Sequence, residues 1–229
     1  MRALPILLCA CAVGLVVSAF GTESPHRDRL DPQITRHYEA ACVAFESGET
    51  QRALAEIELV LVPRSTVYIA APKRSELYRC AVQGLEVWRE ALGEDMPFQL
   101  TEDPNGADIR IEFRKQLASD THHLCGHVEW KRKAVYSKTT HNAYLDATVL
   151  VATHTAKGEP HDAASLVHIV AHELGHILGL DDTGDPSDIM GPDLHGSASV
   201  RLSAGELAAI TSLRALCREL KENVVRAQP

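Results

Sequence analysis

The 229-residue chain has no surplus of positive charge. Its 23 lysines and arginines stand against 31 aspartates and glutamates, a formal net charge of −8. A chain of that sign carries no electrostatic footprint for a polyanion, so nucleic acid and an anionic membrane surface drop out as partners. Long apolar runs are scarce as well. Only Ala3–Phe20 is uncharged over a spanning length, so no stable membrane insertion is expected of the rest. Internal repetition is missing: a helical hairpin pattern at residues 32–62 has no second copy, which excludes a repeat scaffold. What remains is an ordinary globular composition, 45% hydrophobic and 24% charged. The length allows one medium domain plus a small appendage.

The apolar start reads as an export signal. Arg2 precedes the uncharged run, and the small residues Ser18, Ala19 and Gly21 place cleavage after Ala19 or Gly21. An uncleaved anchor is the alternative, and Pro5 with the small-residue exit argues against it. The expected location is secreted or periplasmic. Cleavage removes Cys9 and Cys11 and leaves Cys42, Cys80, Cys125 and Cys217. An even number of cysteines in an exported chain favours disulfides, with three possible pairings. The placement of the segments favours Cys42–Cys80 and Cys125–Cys217.

Periodicity divides the remainder. Residues 22–30, TESPHRDRL, are polar and read as a flexible terminus. Tyr38, Ala41, Cys42 and Phe45, then Leu54, Ile57, Leu59 and Leu61, recur at helical spacing on either side of Gly48. STVYIA at 65–70 has strand composition, and a broad apolar helical face runs from Leu77 to Leu92. ADIRIEF alternates Ile109, Ile111 and Phe113 with charged residues, a half-buried strand. Two or three further strands follow within residues 126–154. A long helix is expected over His161–Leu180 with Asp162 as its cap, then a loop from Asp181 to Val200. A last helix opens with Ser203 as N-cap and Glu206 completing a capping box. The boundaries are a signal peptide at 1–21, a helical appendage at 22–61, a main domain at 62–220 and a tail at 221–229.

Chemistry concentrates in VAHELGHILGLDD, Val170–Asp182. His172 and His176 lie four residues apart and so share one helix face, where two imidazoles can reach one ion. Zinc accepts neutral imidazole nitrogens and keeps one position open for water. Glu173, beside the first histidine, is placed to take a proton from that water. Gly179 permits the left-handed turn that returns the chain to the metal, and Asp182 follows at the spacing of a third ligand. Asp181, Asp185 and Asp188 could compete for that role. A downstream Glu206 as ligand would make a thermolysin-like site, and would leave Gly179 and Met190 unexplained.

The string His-Glu-x-x-His-x-x-Gly-x-x-Asp, with Met190 in SDIMGP beyond it, resembles the metzincin metallopeptidases. The closest branch is the matrixins, with the snapalysin-like aspartate in place of a third histidine. The similarity spans about 62–220. It implies an α+β zinc-peptidase domain with a small mixed sheet and three main helices, preceded by the short helical hairpin. It also implies one catalytic zinc on His172, His176 and Asp182, with Glu173 as base and Met190 beneath the metal. A peptide or protein substrate would lie along an edge strand, with a pocket wall near Gly191 and Pro192. An aspartate ligand should polarise its water less than a histidine would.

The resemblance has gaps. The structural zinc and calcium loops of matrixins are not recognisable, so a second, structural ion is not expected. The prosegment cysteine motif is missing, and Cys42 reads as structural. No tyrosine stands two residues after Met190. His122, His123, Cys125 and His127 crowd together without the spacing of a closed zinc site, and His168 reads as a packed helix histidine. The expected function is an exported zinc endopeptidase. The alternative is a non-catalytic binding or scaffold protein that keeps the fold. Oligomeric state has no signature in the sequence.

Overall fold

The computed structural model describes residues 27–118, 123–192 and 200–227. The signal-peptide expectation, His122 and the side chain of His123 lie outside them. Asp31 opens the first helix, α1 (Pro32–Glu46), by accepting the Gln33 N–H at 2.6 Å, with Pro32 in the first turn where a missing N–H costs nothing. Gly48, at φ +74°, makes the tight turn into α2 (Thr50–Leu61). The two helices pack together and bury Tyr38, Ala41 and Cys42 of α1 and Leu54 and Ile57 of α2 in one cluster.

β1 (Ser65–Ile69) follows, then α3 (Glu76–Leu92), capped by the Ser75 hydroxyl accepting from Tyr78 N–H. Next come β2 (Phe98–Leu100), β3 (Ile109–Arg114), the short pair β4 (Leu117–Ala118) and β5 (His123–Leu124), and a long hairpin, β6 (Gly126–Tyr136) and β7 (His141–Ala152). The main sheet has the order β2-β1-β3-β7-β6, parallel except for β6, which pairs antiparallel with β7 and forms one edge. Two helices complete the fold, α4 (Ala163–Leu178) and α5 (Ala204–Arg226). The architecture is α+β, with three helices about a mixed sheet and the hairpin ahead of them.

α3 and α4 cross closely because Gly84 has no side chain: a Cβ there would lie 2.6 Å from Val170 Cγ1. Trp88, fully buried, donates its indole N–H to the Ala171 carbonyl at 2.8 Å and ties α3 to the middle of α4. Arg132 reaches from β6 into the interior, where its guanidinium donates to Leu59 O near the end of α2 and to Ile177 O near the end of α4. Burial pushes its pKa down to about 10. The cation therefore satisfies carbonyls that helix ends leave unpaired, and it joins the hairpin to the main domain. Buried residues of α1, α2 and the sheet belong to one continuous apolar cluster.

Three expectations need correction. Arg27–Leu30 is not loose: Arg27–Arg29 forms a 3-10 turn and Leu30, buried, bridges Leu180. The pairing Cys42–Cys80 and Cys125–Cys217 is not formed, and Cys42, Cys80 and Cys217 are buried thiols. Cys42 sits on α1, which packs on α2 and α5, whereas Cys80 sits on α3, which packs on α4. Cys217 faces the α1 side, and burial, reinforced by Cys42 nearby, pushes its thiol up to about 12. Finally, α5 runs through 221–226 with Val224 fully buried, so that segment is helix rather than tail. No helix among the described residues is long and apolar enough to cross a membrane.

Candidate active site

α4 is shorter than its apolar pattern because its ends are chemically marked. Asp162 accepts the Ser165 N–H at 2.8 Å, and Gly179, at φ +103°, closes the helix by donating back to Gly175 and His176 carbonyls. His172 and His176 project from one face, their rings edge to face with centroids 4.9 Å apart. The Gly179 turn brings the chain back so that Asp182 Oδ1 lies 3.1 Å from His172 Nε2 and 3.4 Å from His176 Nε2.

The rest of each ring is already committed. His172 Nδ1 lies 3.0 Å from Ile189 O, and His176 Nδ1 lies 3.1 Å from Leu180 O. A carbonyl only accepts, so both Nδ1 atoms carry the proton and both Nε2 atoms face Asp182. The hydrogen bonds from His172 and then His176 hold the Asp182 carboxyl well below the usual carboxylate range. For His176, burial works downward, but the bond to Asp182 and the Glu173 charge outweigh it and raise the pKa. The protons in these contacts are those that a bound cation would displace. Among the described residues, His172, His176 and Asp182 form the one group of three such donors, with ligand atoms within 4.8 Å of one another.

Glu173 is 5% exposed and burial raises its pKa to about 7, against the pull of His172 and His176. Its carboxylate lies against the start of β6, where a Cβ on Gly126 would sit 2.3 Å from Glu173 Oε1. Gly126 is thus part of the site, and the sequence reading missed it. The only available signal was a glycine opening a strand, which commonly marks close approach by another group. Beneath α4, a Cβ on Gly175 would meet Met190 Sδ at 2.3 Å, so Met190 packs directly under the helix.

The competing carboxylates are occupied elsewhere. Glu206, fully buried, accepts the Met190 N–H at 2.7 Å with one oxygen and the Ser203 N–H at 2.7 Å with the other. Its thermolysin-like role is therefore ruled out by its position. Asp188 pairs with Arg29 at 2.5 Å, Asp185 accepts from Ser187, and Asp181 accepts the Asp182 N–H at 2.9 Å. An open cleft runs beside the donors, lined on one side by Gly126, Val128 and Trp130 of β6 and on the other by Gly191 and Pro192. Cys125 and His168 also border it, the latter with its ring 6.0 Å from that of His172. His127 also lines the cleft, with its Nε2 3.8 Å from Glu129 Oε1.

A mixed sheet with one antiparallel edge strand, over a helix that ends in a glycine turn beside a buried methionine, defines a metallopeptidase fold of the metzincin type. The matrixin model of peptidase family M10 matches residues 66–215. That span is more than half of the chain, and the chain belongs to the matrixin family. The match begins in β1 and ends within α5, leaving the Arg27–Leu30 segment and the helical hairpin outside it.

Proposed function

We propose that the protein is an exported zinc-dependent endopeptidase, with His172, His176 and Asp182 as zinc ligands and Glu173 as general acid and base. The observation that carries the reading is the state of the two imidazoles. Each is pinned through Nδ1 to a backbone carbonyl and turns Nε2 toward the same carboxylate. Zinc suits this donor set in residue type and number, and a site with three protein ligands leaves a position for water. When bound, zinc supplies a Lewis acid that acidifies water and polarises a carbonyl.

The chain's own groups supply the rest. Glu173, with a pKa near 7, is poised to take a proton from the attacking water near neutral pH and to return it to the leaving amine. The closeness of Gly126 fixes the direction of the carboxylate. Among the described residues no strand pairs with the outer side of β6, so an extended peptide can add to it by main-chain pairing while Gly191 and Pro192 bound one side-chain pocket.

Metal analysis of the purified mature chain should find one zinc. Hydrolysis of unfolded casein should stop on chelation and return with added zinc. Glu173→Gln should retain zinc and fold while losing at least ~10²-fold in turnover. Near-normal turnover in that variant would remove Glu173 from the mechanism. Zinc binding with no turnover in the native chain would instead favour a non-catalytic scaffold.

A further inference from the structure

The segment ahead of the hairpin lies outside the family match, yet it is built into the walls of the site. Asp31 N–H donates to Gly179 O at 3.0 Å and Asp181 N–H donates to Arg29 O at 2.9 Å, on either side of the Leu30–Leu180 bridge. These contacts run antiparallel along the turn that delivers Asp182. The Arg29 side chain then crosses to the other half of the loop. Its Nη1 lies 2.5 Å from Asp188 Oδ2, and the Asp188 carboxylate is almost wholly buried. A Cβ on Gly205 would sit 3.0 Å from Arg29 Cζ, so the guanidinium lies against the first turn of α5.

Asp188 gathers what surrounds the proposed ligands. It accepts from Thr183 Oγ1 at 3.0 Å, one residue beyond Asp182. Thr183 N–H in turn donates to Met190 O at 2.8 Å. The residue after Asp188, Ile189, supplies the carbonyl that orients His172. One arginine thus closes a ring of contacts that includes the turn before Asp182, the residue after it and the carbonyl behind His172.

We propose that Arg29 is a positioning residue of the metal site, holding the Asp182 turn and the Ile189–Met190 turn in register through Asp188. The proposal rests on the reading of His172, His176 and Asp182 as zinc ligands. In its consequences, the Arg27–Asp31 strap belongs to the working enzyme, and a chain cut after it would keep the family core and lose a tight metal centre.

The test uses the mature chain with Arg29→Ala and Arg29→Lys. Groups that orient metal ligands alter metal affinity by roughly 10–100-fold, and Arg29 acts one contact further out, so Arg29→Ala should release zinc to a competing chelator about tenfold faster. Its kcat should fall comparably with KM unchanged, while Arg29→Lys, which keeps the charge, should recover most of both. Hydrogen exchange on the metal-free protein should quicken at residues 181–190 and stay unchanged in α3. Unaltered zinc release in Arg29→Ala, or faster exchange spread evenly over α3 and the sheet, would overturn the proposal. If Arg29→Ala does not fold, Arg29→Gln, which keeps the stem and a hydrogen-bond donor, carries the same comparisons. If the native chain binds no zinc, the peptidase reading fails, and the exchange pattern still decides whether Arg29 holds the loop.

Discussion

Replacing Gly126 with alanine tests the geometry of the base without touching a proposed ligand. The added Cβ would lie 2.3 Å from Glu173 Oε1, 2.9 Å from Glu173 Cδ and 2.7 Å from Ile169 Cγ2. Ordinary carbon–oxygen contact needs roughly 3.4 Å, so the carboxylate must retreat by about 1 Å. Its far end is flexible enough to do so, and overpacking of this kind costs about 1–3 kcal/mol of stability, well short of unfolding a typical domain. Catalysis is less tolerant: a misplacement of about 1 Å can cost about 10²-fold. The expected result is a folded, zinc-loaded Gly126→Ala protein whose kcat on a fluorogenic peptide falls about 10²-fold. A double-mutant cycle makes the reasoning refutable. In a Glu173→Gln background the same alanine should cost little more, because the group it displaces has already lost its function. Native turnover in Gly126→Ala, or a full second loss in the double variant, would show that Gly126 does not act through Glu173.

Two further outcomes follow from the loop after α4. Asp182→Ala should lose zinc on dialysis against a weak chelator, whereas Asp181→Ala and Glu206→Ala should keep one ion per chain; the reverse pattern would displace Asp182 as third ligand. The pH dependence of the metal-free protein should report Asp188. Burial there works to raise the pKa, but hydrogen bonds from Ser203, Arg29 and Thr183 outweigh it and hold the carboxyl below its ordinary range. A lowered acid stabilises fully above its unfolded pKa, and that stability is lost as pH falls through the folded value. Melting temperature should therefore drop between about pH 5 and pH 2 more steeply in the native chain than in Asp188→Asn; parallel curves would refute it.

Elements whose signals are local were legible in the sequence. Asp162 and Ser203 with Glu206 mark helix starts by side-chain chemistry that needs no distant partner, and both caps are formed. Ile109 and Ile111 alternate inward, while Phe113 is only half-buried near the end of its strand. The placement of His172, His176 and Asp182 near one another was likewise written into helical spacing plus one glycine. What escaped notice depends on contacts far along the chain. TESPHRDRL reads as loose because nothing in its composition records Leu180 or Asp188, some 150 residues away. Arg132, within an alternating strand, carries no local mark of the two helix ends it joins. The cysteine pairing failed for the same reason, since chain order does not say which helix faces which.

The open edge of the sheet has another consequence. β6 is an eleven-residue strand, and among the described residues no strand pairs with one row of its N–H and C=O groups. Such a row does not discriminate between a substrate and the edge of a second molecule of the same kind, and long bare edges invite self-association. The strand carries a deterrent in its own sequence. Glu129, Lys131 and Lys133 stand exposed at alternate positions on one face, where a second copy pairing alongside in parallel register would set like charge against like. A single extended peptide can satisfy the backbone and leave those side chains in water. Under the proposed function, the same charged edge would favour chains that have already lost their fold.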